Sequence, residues 1–169
     1  MKLKHKVRGL IRSFSYASKG LRYCIKSERN LRIHIVMTAA VIFLSCFYDF
    51  SRAEMCILAL AVGFVISTEL MNTAAEYTVD HISQAYSTYA KIIKDVAAGA
   101  VLVSALTAAA VGIILFSDMD GIMRVHSFFA DSPQYIAVLM LCVIPALIFI
   151  FDGTAFINRL KNNKGRKHD

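Results

Sequence analysis

The residues best equipped for chemistry lie together in Glu69-Leu70-Met71-Asn72-Thr73-Ala74-Ala75-Glu76-Tyr77-Thr78-Val79-Asp80. On a helix, at about 100° per residue, Glu69, Asn72, Glu76 and Asp80 fall within roughly 80° of one another. Three carboxylates and a carboxamide therefore line one face. Two other groups accompany them: Glu28-Arg29-Asn30-Leu31-Arg32-Ile33-His34 upstream and Lys91-Ile92-Ile93-Lys94-Asp95 downstream. Carboxylates hold Mg²⁺, which bridges phosphate oxygens, while Lys and Arg neutralise the rest of a polyphosphate. A carboxylate free of metal accepts a proton from an attacking hydroxyl. This inventory suits phosphoryl transfer to an alcohol. There is no P-loop sequence, no G-x-G-x-x-G and no H-R-D, so neither a P-loop enzyme nor a protein-kinase fold is supported.

The elements that must position these groups are unusually apolar. Of 169 residues, 57% are apolar and 18% charged, and the formal net charge is +7. Mean hydropathy is +0.54. Soluble domains carry about 45–50% apolar and about 25% charged residues, so a single all-α integral membrane domain is expected. Disorder is excluded by the same surplus. Cys24, Cys46, Cys56 and Cys142 lie in apolar surroundings without C-x-x-C spacing, which argues for free thiols rather than disulfides or zinc. The first strongly apolar run begins only near Ile33, after a long basic segment, so no secretory signal peptide is expected.

Residues 5–27 read as an amphipathic surface helix: Val7, Leu10, Ile11, Phe14, Ala17, Leu21, Cys24 and Ile25 recur at helical spacing. Lys4, Arg8, Arg12, Lys19, Arg22 and Lys26 fall mostly off that stripe. Four apolar segments follow, at 31–50, 55–77, 96–116 and 135–151, each near the length of about 17–25 residues that a span requires. Pro145 is expected to kink the last. The third is rich in small residues, among them Ala97, Gly99, Ser104, Ala105, Ala108 and Gly112, which suits close helix packing in lipid. Four spans put both termini on one side. Seventeen Lys and Arg fall on that side and on the 78–95 connection, against Arg52 and Arg124 opposite. The side with the termini is therefore expected to be cytoplasmic. The surplus charge then meets anionic lipid or phosphate, and nucleic acid is not an expected partner.

The run Glu69-x-x-Asn72-Thr73-Ala74-x-Glu76-x-x-x-Asp80, with Lys91-x-x-Lys94-Asp95-x-Ala97-Ala98-Gly99-Ala100-Val101-Leu102, resembles the signature of the prokaryotic diacylglycerol kinase family. Ser13-Phe14-x-Tyr16-Ala17-x-x-Gly20-Leu21 and Glu28-Arg29-Asn30-x-Arg32-Ile33-His34 match that family in order and spacing, so the similarity covers roughly residues 8–116. The resemblance implies small membrane lipid kinases of the bacterial cell membrane, built as homotrimers with a surface helix and three spans per protomer. It implies Glu69 as the catalytic base and Asn72 beside it as a positioning group. It implies Glu28 and Glu76 as holders of the magnesium of MgATP, and Lys94 and Asp95 as nucleotide-binding residues. Tyr16 and an N-terminal arginine, Arg12 or Arg8, are implied to approach the nucleotide. The Glu28-Arg29-Asn30 and Lys94-to-Leu102 wording is more similar to the branch that phosphorylates undecaprenol than to the branch that recycles diacylglycerol.

Two features depart from the family pattern. Ala85-Tyr86-Ser87 stands where relatives often read Glu-Tyr-His. Residues 117–169 continue past the third span, with a fourth span at 135–151 and a basic tail of Arg159, Lys161, Lys164, Arg166 and Lys167. An added lipid-facing anchor is the favoured reading of this extension. Against an enzyme stands a non-catalytic membrane scaffold, which would be expected to lack some of Glu28, Glu69, Asn72, Glu76, Lys94 and Asp95; all are present. A cation channel or carrier would hold its carboxylates near the bilayer midplane rather than at one interface.

Overall fold

The computed structural model describes residues 2–82, 88–132 and 134–152, with side chains from residue 7 onward. Every regular element among them is a helix: α1 (Lys2–Ser27), α2 (Arg29–Ser45), α3 (Arg52–Ile82), α4 (Thr88–Phe116), α5 (Met119–Asp131) and α6 (Gln134–Phe151). Ala85-Tyr86-Ser87 and the basic tail lie outside the described residues.

The apolar side chains face outward. Leu31, Leu58, Val65 and Val79 are the buried apolar residues, while the buried polar ones are Arg32, Glu69, Thr73 and Ser104. Side chains such as Leu60, Leu102, Ile113 and Leu141 stay exposed. This is the distribution of a chain whose solvent is lipid. Three helices, α3, α4 and α6, are long and apolar enough to cross a membrane. The protein is an all-α membrane protein.

Helix lengths differ from the expected spans in a consistent way. Helix α3 has 31 residues and α4 has 29. At 1.5 Å per residue they reach about 46 and 43 Å, well beyond a hydrocarbon core of about 30 Å. Both therefore carry their polar ends out of the apolar layer as continuous helix. Helix α2 is shorter than the expected 31–50 segment and ends at Ser45, after 17 residues. There the Cys46 N–H reaches back to Phe43 O at 3.2 Å, tightening the last turn. Tyr48 and Phe50 leave the helix to join Phe116 in an aromatic cluster, with ring centroids 4.9 and 5.3 Å from it. Pro145 lies inside α6, which runs through it as one helix.

Helix α5 was not expected at all. Asp118 caps it by accepting from Gly121 N at 3.0 Å. Arg124 ties it down, donating to Phe47 O at 2.6 Å and pairing with Asp49 at 3.0 Å.

Contacts along the helices define the topology. Helices α3 and α4 run antiparallel, joined mid-length by the Thr68 and Ser104 hydroxyls at 2.7 Å and at one end by Lys94 and Asp80. The start of α2 runs beside α3 from that same end to mid-length, where His34 meets Glu69, and it holds the close of α6 through Arg32 and Ile150. Tyr23 of α1 meets Tyr77 of α3 edge-on there, at 5.3 Å. The opposite end gathers Tyr48, Phe116 and Arg124. Helix α1 and the close of α6 therefore lie toward the same end of the α3–α4 pair, through Tyr23 and Tyr77 and through Arg32.

Candidate functional site

The acidic face of α3 rises from a buried base to an exposed rim. Glu69 retains only 3% of its accessible surface. Asn72 and Glu76 are half-buried, and Asp80 is exposed. Over the 11 steps from Glu69 to Asp80 the face climbs about 16 Å. Helical spacing aligns the four groups, and the packing of α2 against α3 covers only the deepest.

That cover comes from the first turns of α2. His34 Nε2 lies 4.0 Å from Glu69 Oε1, with the His34 side chain 22% exposed. Glu28 and Glu76 are close enough to act on Glu69 electrostatically, and the Asn30 amide is its polar neighbour. Glu28 is placed by the backbone: it is the N-cap of α2, extended at φ −100° and ψ 116°, and forms the whole joint between α1 and α2. Glu28 and Glu76 thus lie within electrostatic range of Glu69, although 41 positions separate Glu28 from Glu69 in the chain.

Two oxygens in this cluster stand out. Asn72 Nδ2 donates to Glu76 Oε1 at 2.9 Å, which fixes the amide orientation. Asn72 Oδ1 and Glu69 Oε1 are then buried with no hydrogen-bond partner. An unsatisfied buried acceptor costs about 1–3 kcal/mol, and more when it is charged. Polar groups at membrane depth are retained at such cost where they have a task. Both oxygens accept from any hydroxyl or metal-bound water brought to them.

Not every expected residue is gathered here. Lys94 reaches across to Asp80, at the rim of the face. Asp95 is exposed beside it. Tyr16 is 66% exposed on α1, with Lys19 Nζ 5.8 Å from its ring centroid, and Arg12 is exposed one turn earlier. Helix α1 touches the rest of this chain near its C-terminal end, so Tyr16 and Arg12 are not brought to Glu69 of the same chain. Among the described residues no cluster of three or more metal-ligating groups forms. Two carboxylates, Glu28 and Glu76, suit a magnesium that arrives already carrying phosphate and water. The sequence motif contained His34 and Arg32 but gave neither a place; their partners, Glu69 and the carbonyls of two other helices, are far apart in the chain.

Residues 15–116 match the family model for prokaryotic diacylglycerol kinase. The chain is 34% identical over 113 residues to the undecaprenol kinase of Bacillus subtilis, an alignment covering 67% of this chain and 92% of that protein. It is 42% identical over 104 residues to a diacylglycerol kinase of Synechocystis sp., covering 61% of this chain and 59% of the relative. With the diacylglycerol kinase of Escherichia coli it shares 28% over 99 residues, covering 59% and 81%. The chain belongs to the prokaryotic diacylglycerol kinase family and is a membrane lipid kinase. The family match ends with α4; α5 and α6 lie beyond it.

Proposed function

We propose that the protein transfers the γ-phosphoryl group of MgATP to undecaprenol at the cytoplasmic face of the bacterial cell membrane. The observation that carries this reading is the pair of buried oxygens without a hydrogen-bond partner, Glu69 Oε1 and Asn72 Oδ1. Glu69 takes the proton of the lipid hydroxyl as its oxygen attacks the γ-phosphorus, and ADP leaves on the opposite side. Asn72, its amide held by Glu76, orients the reacting groups. Glu28 and Glu76 take up the magnesium of the MgATP substrate, which neutralises charge on the phosphate oxygens. Lys94 and Asp95 serve the nucleotide at the exposed rim, where a water-soluble substrate enters. The long-chain alcohol approaches from the apolar layer, so the two substrates meet where the α3 face passes from buried to exposed.

Tyr16 and Arg12 complete the nucleotide site from the α1 of a neighbouring subunit in a homotrimer. Their exposure in the single chain is what such an arrangement requires. The seventeen Lys and Arg on one side support a cytoplasmic site and cytoplasmic termini. Undecaprenol as acceptor is supported by the Glu28-Arg29-Asn30 wording and by the alignment with nearly the whole Bacillus subtilis undecaprenol kinase. The 42% identity to the Synechocystis enzyme favours a second reading, diacylglycerol as acceptor. The test offers purified protein γ-labelled MgATP with undecaprenol and with diacylglycerol in the same mixed micelles. Label should enter undecaprenol with a kcat/KM about tenfold or more above that for diacylglycerol. The reverse ranking establishes the second reading, and label in neither lipid refutes both.

A further inference from the structure

Arg32 is 6% exposed, and among the described residues it forms no ion pair. Its guanidinium is instead held by three backbone carbonyls. Nη1 donates to Ile25 O at 3.0 Å and to Lys26 O at 3.1 Å, and Nε donates to Ile150 O at 3.0 Å. Ile25 and Lys26 are in the last turn of α1, and Ile150 is in the last turn of α6. The final carbonyls of a helix have no partner within it and carry its negative partial charge. One buried cation thus closes two helix ends at once, using the rigid fork of donors that only arginine has.

We infer that α6 is a working part of the kinase site: through Ile150 O it holds Arg32, and through Arg32 it sets the α1–α2 joint that carries Glu28. The inference rests on the proposed role of Glu28 in holding MgATP. Arg32 is one turn after Glu28, and its own N–H bonds Glu28 O at 3.4 Å. The Glu28 N–H bonds Cys24 O at 2.8 Å, in the same α1 turn whose next carbonyls Arg32 holds. A shift of α6 therefore moves the guanidinium, and with it both sides of a joint one residue long. None of the α6 side chains is buried, so bulk packing does not dominate its attachment. Helix α6 lies outside the stretch matched by the family model, so this contact is a device added to the kinase core. Arg32 is a positioning residue here, since it acts through the backbone of Glu28 and touches no substrate. Its effect belongs on MgATP binding rather than on proton abstraction by Glu69.

The full chain tests this with two variants and their combination. Ile150→Gly/Phe151→Gly loosens the last turn of α6 without touching a site residue; Arg32→Lys keeps the charge and loses the fork. Each should raise KM for MgATP about fivefold, the loss of about one hydrogen bond, with kcat changed less than about twofold. The combined variant should be no worse than Arg32→Lys alone, because both act through one contact. Amide hydrogen exchange at residues 25–28 should quicken in each variant, a readout independent of catalysis. Unchanged KM and exchange in Ile150→Gly/Phe151→Gly, or additive effects in the combination, would overturn the inference. Failure of the kinase reading shows itself differently, as no lipid phosphorylation by the unaltered protein while the exchange coupling persists.

Discussion

Replacing Gly121 by alanine sets two physical effects against each other. Alanine is the better helix former by about 1 kcal/mol, and on that ground Gly121→Ala should stabilise α5. The surroundings argue the other way. A Cβ at position 121 would lie 2.1 Å from Cε1, 2.2 Å from Cδ1 and 2.7 Å from Cζ of Tyr48. The ring would have to retreat about 1.5 Å to reach ordinary van der Waals contact. It is pinned by Phe116 edge-on at 4.9 Å, by Phe50 stacked at 5.4 Å, and by its hydroxyl donating to Phe116 O at 3.2 Å. Overpacking of this kind costs about 1–3 kcal/mol, and the lost hydrogen bond a further 0.5–1.5 kcal/mol, roughly. After the helix gain is subtracted, a net loss of about 2 kcal/mol remains. For a chain of this size that corresponds to a Tm lower by about 4–8 °C. Thermal unfolding in detergent micelles measures it, and Tyr48→Ala supplies the control, since in that background Gly121→Ala should raise Tm. A higher Tm for Gly121→Ala alone would refute the docking of α5 on Tyr48.

Lys94→Met should cost no more than about 1 kcal/mol of stability, because its pair with Asp80 is solvent-exposed. It should nevertheless raise KM for MgATP about tenfold or more, in steady-state assays of lipid phosphorylation. Thr68→Val should lower the unfolding free energy by only about 0.6 kcal/mol, because Ser104 keeps its bond to Val101 O at 2.8 Å; a loss above about 2 kcal/mol would contradict that view. Burial, and then the charge of Glu28, push the Cys24 thiol above the ordinary thiol range. Less thiolate is present at a given pH, so alkylation at pH 8 should be slower than for a free peptide thiol and should catch up only as pH rises. Equal rates at pH 8 would show that Glu28 and burial do not act on it.

The chemistry-bearing face of α3 was legible in the chain because helical spacing alone aligns Glu69, Asn72, Glu76 and Asp80. Helix α1 was legible for the same reason, from the period of its apolar residues. What escaped depends on partners distant in sequence. Helix α5 was hidden because only 13 residues form it, and its anchors, Phe47 O and Asp49, belong to another loop. The end of α2 at Ser45 was invisible to hydropathy, since the aromatic residues that follow suit a span but serve other contacts, Tyr48 and Phe50 with Phe116 and Phe47 with Phe128. The burial of Arg32 was equally unreadable. An arginine in a basic segment looks solvated, and only the meeting of two helix ends gives its donors carbonyls to bind. The depth of Glu69 beneath His34 likewise needed α2 packed on α3.

The central claim is that Glu69 is the base for lipid phosphorylation, and Glu69→Gln tests it most directly. The amide nearly matches the carboxylate in shape and cannot take the proton, so assembly should persist while transfer of label from MgATP to undecaprenol or diacylglycerol falls by about 10²-fold or more. Nucleotide binding, measured separately, should change little. Transfer at the rate of the unaltered protein would contradict the account.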